Sequence, residues 1–520
     1  MDSLPDAVLL HVFAHLPAVP HLHLHSAVCR RWRALLHDPA HRSLWRSLVL
    51  HDEVVPAHVA RAVVRRAGAE LAELKMVFEL RQAFDPWKNR CAFVSKMQTM
   101  FEKNRRRCSG HYSAPYTSTP FEILDVVASE IGGGGRSRLR SLDISIRLEV
   151  DKLHPFACDA ASADGTFEKL GWDIYDDSDP YDEAFEAVTR ILNECGAGLH
   201  CLSLSWQGRA KLPFGQQHYP RFDSILAVLC PRGTNETLRS LRMQHVQMAP
   251  QETGRGYGET RRKLEIDCFS GLERLEIEGS LQEFDGDFFD VDSGLRLMNA
   301  EWRMREMILP DCLKTLVLKS MAIDELQFKP NNISKSLESL CLPGSWIRTW
   351  VIESVIHCAP NIKHLNLIGA VESLYRMDSN VSKELLRAIS LLELESLALT
   401  MTPDAKNDMT DDEFWGSLAE NFGTSLKLLC IRGASGLPVR ESCLKHDWTF
   451  HQLELVLVSH SSRKAAKEFL RGCKSRSESS TFLHVKPREL PCGPPGVKFS
   501  ATGHDFFSKS PTEVTQSVNF

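Results

Sequence analysis

The chain has 520 residues, 43% of them hydrophobic and 25% charged, with a formal net charge of -5. That supplies a substantial core, or a repeat array that needs no domain boundaries, and it gives no global pull toward nucleic acid or anionic membrane. No window reaches the roughly 18 uncharged apolar residues of a membrane span, the opening MDSLPDAVLL carries acids where a signal peptide carries Lys or Arg, and the 15 cysteines contain no C-x-x-C pair. The expectation is a soluble protein of the cytoplasm, the nucleus or both, with reduced and mostly buried thiols.

Pro5 suits a first helical turn, with Asp2 and Asp6 at its electropositive end. Val8, Leu9, Val12, Phe13 and Leu16 then make one wide apolar stripe, which Pro17 and Pro20 end. A second row, Leu24, Val28, Trp32 and Leu35, recurs every three to four residues, and Leu44 and Trp45 follow a turn at Asp38-Pro39. Two or three short helices make a poor independent core. So large a stripe on so small a unit is best explained by a partner helix lying against it.

The order and spacing of Leu4-Pro5-Asp6-Ala7-Val8-Leu9, Val12-Phe13-x-x-Leu16-Pro17, Val28-Cys29-Arg30-Arg31-Trp32-Arg33 and Leu44-Trp45 resemble the F-box pattern. The histidine-rich segment His21, His23 and His25 departs from it and is read as an ordinary turn, since those spacings share no helical face. The resemblance implies a module that binds the Skp-type adaptor of a cullin–RING ligase. It places Leu4, Pro5, Val8, Leu9, Val12, Phe13, Val28, Cys29 and Trp32 at that contact. Of this set Leu4, Pro5 and Leu9 are expected to be mainly interface, whereas Leu16, Leu24 and Leu35, outside it, are expected to be mainly core.

Beyond it, L-x-x-L-x-L recurs ten times: LRSLDI (139), LHCLSL (199), LRSLRM (238), LERLEI (272), LKTLVL (313), LESLCL (337), IKHLNL (362), LESLAL (394), LKLLCI (426) and LELVLV (453). Leu71-Ala-Glu-Leu74-Lys-Met76 is a weaker, earlier copy. The last three apolar positions alternate as a half-buried strand requires, so stacked parallel strands would bury the leucines and line an exposed sheet with the x residues. Amphipathic stretches at 57–69, 121–131, 184–195, 222–230, 346–358, 383–392, 412–422 and 463–472 precede most copies. This is the pattern of a leucine-rich repeat. Cys195, Cys268 and Cys358 each stand four residues before a copy, similar to the cysteine-containing repeats of F-box/leucine-rich-repeat proteins and suited to a small buried thiol at a helix-to-strand turn.

The expected fold is α/β: a small all-α F-box at 1–48, then a curved solenoid of alternating helices and short parallel strands at 49–486. Insertions are expected near 84–120, with the basic run KNRRR at 103–107, and near 145–183, with the acidic DIYDDSDPYDE at 173–183. The basic run is read as a solvated loop, and the acidic run either as a solvated loop capping the helix at 184–195 or as a contact surface for a basic partner. A disordered tail fills 487–520, after a last strand near Thr481–Val485. No hydrolase, zinc-peptidase, P-loop or kinase signature is present in the sequence, so no catalytic residue, cofactor or metal is expected. The resemblance implies a substrate-recognition subunit of an SCF ubiquitin ligase, reaching cullin and RING subunits through the adaptor and holding an unknown protein substrate, with no nucleic acid or membrane partner. The alternative is a non-degradative interaction scaffold.

Overall fold

The computed structural model describes residues 4–15, 28–51, 57–82, 120–132, 138–150, 180–208, 222–230, 235–244, 263–279, 303–304, 306–319, 321–323, 325–328, 333–368, 383–401, 411–433, 455–459 and 481–485. They fall in two compact units, Met1–Pro220 and Arg221–Phe520.

In the first unit, helices α1 (Asp6–Ala14) and α2 (Arg30–His37) and a 3-10 helix (Pro39–Trp45) lead into strand β1 (Ser47–His51). Then come α3 (Ala57–Ala67), β2 (Glu73–Gln82), α4 (Pro120–Gly132), β3 (Ser141–Val150), α5 (Pro180–Cys195) and β4 (Cys201–Gly208). The strands form a parallel sheet in the order β1-β2-β3-β4, and their apolar positions coincide: Leu48, Leu74, Leu142 and Leu202 stand in one row. All four are buried. The helices are tied side by side, Arg65 gripping Glu130 through two hydrogen bonds (3.0 and 2.6 Å) and Arg190 pairing with Asp125.

In the second unit, α6 (Phe222–Leu229), β5 (Ser240–Gln244), β6 (Lys263–Glu265), β7 (Arg274–Glu278), β8 (Arg303–Met304), β9 (Glu306–Leu309), β10 (Thr315–Lys319), β11 (Ala322–Ile323), β12 (Leu326–Phe328), β13 (Ser339–Cys341) and β14 (Trp346–Ile347) come first. They are followed by α7 (Thr349–Cys358), β15 (His364–Asn366), α8 (Lys383–Ile389), β16 (Ser396–Met401), α9 (Asp411–Phe422), β17 (Leu428–Gly433), β18 (Leu455–Ser459) and β19 (Thr481–Val485). Parallel strands run β5-β7-β10-β13-β15-β16-β17-β18-β19, with Leu241, Leu275, Leu316, Leu340, Leu365, Leu397 and Leu429 in register. All ten sequence copies are strands of one or the other sheet. This is a mixed α/β, solenoid-like architecture.

One backbone device recurs throughout. Within each unit, the carbonyl after the first leucine of most described copies accepts two successive N–H groups of the next, as Ala72 does from Arg140 and Ser141, and Glu338 from Lys363 and His364. Arg46 does the same from Ala72 and Glu73 (2.9 and 3.0 Å). Trp45 therefore occupies a first-leucine position, and Trp45-x-x-Leu48-x-Leu50 is a further copy that the leucine pattern did not reveal. The expected boundary at 48/49 falls inside β1.

Several other expectations change. Between β5 and β13 no helix lies among the described residues. Two small parallel sheets, β6-β9-β12 and β8-β11-β14, take that place. Leu326-Gln327-Phe328 alternates buried, half-buried, buried, and Pro330 follows two residues later, which suits a short strand and stops a helix. The expected insertion 145–183 is narrower, since β3 runs to Val150 and α5 starts at Pro180. The last four residues of the acidic run thus begin a helix, where negative charge is favourable. The insertion 84–119, the basic run, the stretch 463–472 and the tail 487–520 lie outside the described residues. Among the described residues no helix is long and apolar enough to cross a membrane.

Candidate docking surface

Helix α1 divides its apolar stripe between two faces. Leu9 and Phe13, one turn apart, point inward and are 2% and 1% exposed. Val8 and Val12, also one turn apart, point outward at 43% and 47%, in line with Leu4 at 38%. Residues at i and i+4 share a face and those at i and i+1 do not, so the stripe becomes one packed edge and one bare edge.

The packed edge is held from α2. The Phe13 and Trp32 rings meet edge-to-face with centroids 5.2 Å apart. Cys29 caps α2, its sulfur accepting from the Trp32 N–H at 3.4 Å. Arg31 donates to Asp6 Oδ1 (Nε, 2.9 Å) and to the Leu4 carbonyl, which fixes the entry to α1 against the start of α2. Beneath them Leu35, Leu36 and Trp45 are buried, and the Trp45 indole N–H donates to the Leu36 carbonyl at 3.1 Å. The Arg66 guanidinium lies 5.8 Å from the Trp45 ring centre, joining this foot to α3.

Of the nine residues expected at a partner contact, Leu4, Pro5, Val8, Val12 and Val28 are exposed, while Cys29 and Trp32 are half-buried. Leu9 and Phe13 are buried in the foot, Phe13 against the Trp32 ring. Leu35 is buried as expected, and Leu16, Leu24 and the three histidines lie outside the described residues. What the bare edge offers is a row of small apolar side chains one helical turn apart, a shape that accepts an apolar helix from outside.

The outward faces of the sheets differ from the expected exposed surface. In the first unit Glu73, Lys75 and Cys201 are exposed, and Lys75 pairs with Asp143 at 3.0 Å. In the second unit the outward Val317, Cys341 and Ala398 are each 0% exposed, in keeping with apolar side chains where polar ones were expected. Beside them Glu276 is buried between Arg242 and Arg274, each at 3.0 Å, and Glu278 between Gln244 (2.8 Å) and Lys319 (2.5 Å). The thiols are also less buried than expected: of nine described, only Cys195 and Cys341 are fully buried, and Cys268 and Cys358 are half-buried. Burial pushes the Cys195 and Cys341 thiols up to about 12, which makes them inert. Among the described residues no group of three or more His, Cys, Asp or Glu is placed to hold a metal ion.

Compared with known families, residues 1–51 match a family model described as F-box-like. No curated protein matches the chain.

Proposed function

We propose that this chain, which carries an F-box-like domain over residues 1–51, is the substrate-recognition component of an SCF-type cullin–RING ubiquitin ligase. F-box domains bind Skp-type adaptors, and F-box proteins are generally non-catalytic receptors. The observation that carries the reading is the bare edge of α1: Leu4, Val8 and Val12 are exposed although the same helix buries Leu9 and Phe13. An apolar row kept in water by a folded module is a docking surface more often than waste. In this reading the adaptor covers that row together with Pro5 and Val28 and brings cullin and RING subunits. The stacked units are a leucine-rich-repeat solenoid that holds a target protein, in the cytoplasm or nucleus.

Catalysis here is positional. A stiff arm keeps a bound substrate near the ubiquitin-loaded enzyme and raises its effective concentration, so no residue of this chain reacts. The test is co-purification of the full chain with a Skp-type adaptor. Val8→Asp with Val12→Asp should lower adaptor binding at least tenfold while thermal unfolding stays near wild type, because neither side chain supports the core. Undiminished binding removes the ligase assignment. Ubiquitination of a captured partner then separates a degradative receptor from a scaffold.

A further inference from the structure

Two thiols of the second unit stand together without being joined. Cys230 follows α6 directly, its N–H bonded to the Leu226 carbonyl at 2.8 Å. Cys268 lies in the turn between β6 and β7. Their sulfurs are 3.3 Å apart, with the Cys230 thiol donating to the Cys268 sulfur. Both side chains are half-buried, so a molecule as small as hydrogen peroxide has access.

The corner that carries them is pinned by one buried residue. Asn235, 5% exposed, donates from its side chain to the Leu229 carbonyl at 3.0 Å and from its backbone to the Cys268 carbonyl at 2.9 Å. Its side-chain oxygen accepts from the Thr237 and Leu238 N–H groups, both at 3.1 Å. The backbone beside each thiol is therefore tied to the same asparagine. A disulfide needs sulfurs about 2.05 Å apart, and here they already stand at 3.3 Å on a corner held in place by that asparagine.

We propose that Cys230 and Cys268 form a reversible dithiol–disulfide pair, oxidised by hydrogen peroxide or a peroxide of its class, that fastens the end of α6 to the turn before β7. Cys268, as the sulfur that accepts the hydrogen bond and whose thiolate that bond stabilises, is the attacking group. Its thiolate takes one peroxide oxygen as the O–O bond breaks, giving a sulfenic acid, and the departing hydroxide takes up a proton to leave as water. The Cys230 sulfur then attacks the Cys268 sulfur. The S–S bond forms, the S–O bond breaks, and hydroxide leaves as a second water with the Cys230 proton. Two thiols give up two electrons and two protons, and one peroxide becomes two waters. The hydrogen bond to Cys268, reinforced by burial, raises the Cys230 thiol, which suits a group that keeps its proton until the second step.

The test treats the reduced full chain with hydrogen peroxide under native conditions, blocks remaining thiols, and maps peptides without reductant. A cross-linked peptide pair holding residues 230 and 268, lost on adding dithiothreitol, is the expected result. The oxidised protein should also melt several degrees higher, since the bridge closes residues 38 apart in sequence. Recovery of both peptides unlinked while the exposed Cys201 is oxidised overturns the proposal. In Cys230→Ser, which removes the resolving thiol, dimedone should label Cys268. No label there overturns the assignment of Cys268 as the attacking sulfur.

Discussion

Replacing Trp45 with alanine tests whether the foot and the first sheet are one packed body. The ring is 2% exposed and serves two structures at once, closing the 3-10 helix and filling the first position of the first strand copy. A buried indole removes about 150–250 Å² from water, and at about 25 cal/mol per Å² that is roughly 4–6 kcal/mol. Large-to-small changes of this kind cost about 3–5 kcal/mol in practice. The Leu36 carbonyl loses its partner, and Arg66 loses the ring face for about 0.5–1 kcal/mol more. The expectation is therefore a loss of about 4–5 kcal/mol, concentrated locally because stacked units contact only their neighbours. Amide hydrogen exchange of full-length protein reads this directly: protection should collapse at Leu48, Leu50 and across α2 while β13 to β17 stay protected. Trp45→Phe, which keeps most of the volume but not the N–H, should cost about 1–2 kcal/mol. A Trp45→Ala protein that keeps full protection in β1, or loses under about 1 kcal/mol, would refute the shared-core argument.

Three other outcomes follow from the structure. Glu395 is held below the usual carboxylate range by its hydrogen bond from Lys427 and by Lys363, and Glu130 likewise by Arg65, so both contribute stability above the unfolded glutamate value near 4.3 and lose it as pH falls through their lower folded values. Burial lowers His364, so the unfolded chain takes a proton first and stability begins to fall below about pH 6.5; urea midpoints against pH should show two stages, and His364→Gln should abolish only the upper one. Glu395→Lys replaces two attractions with three neighbouring lysines and should cost about 1–2 kcal/mol by urea unfolding, against about 0.5 for Glu395→Gln. Gly271→Ala should cost about 1–3 kcal/mol in thermal unfolding, because a Cβ there would lie 2.5 Å from the Glu236 carbonyl oxygen and the Arg239 guanidinium; an unchanged midpoint would mean that this turn yields.

The strand copies were legible because a six-residue apolar pattern must face one way when strands stack. The first copy was hidden by chemistry, since Trp45 does in one place what leucine does elsewhere and belongs at the same time to the helical foot. The short strands β8, β9, β11 and β12 escaped for lack of length, two to four residues carrying no period of their own. On α1 the stripe was visible but its division was not, because sequence spacing gives faces and not the neighbour that fills one of them. Phe13 turns inward because Trp32 is there.

A row of charges argues that stacking order is itself encoded. The residues after the first leucine in the second unit run Arg239, Glu273, Lys314, Glu338, Lys363, Glu395 and Lys427, alternating without a break, and the register sets each beside the next. Lys314 meets Glu273 at 2.9 Å, and Glu395 meets Lys427 at 2.7 Å and Lys363 at 3.7 Å. Each exposed pair is screened by water and adds little stability on its own. Their value lies in discrimination, because pairing a copy with the next but one would set like charges side by side. Leucines alone cannot make that distinction, since every copy offers the same apolar edge. A stack of near-identical units presents one defined surface only if the units pair in one order, and the polar ladder beside the leucines supplies the order that the core cannot.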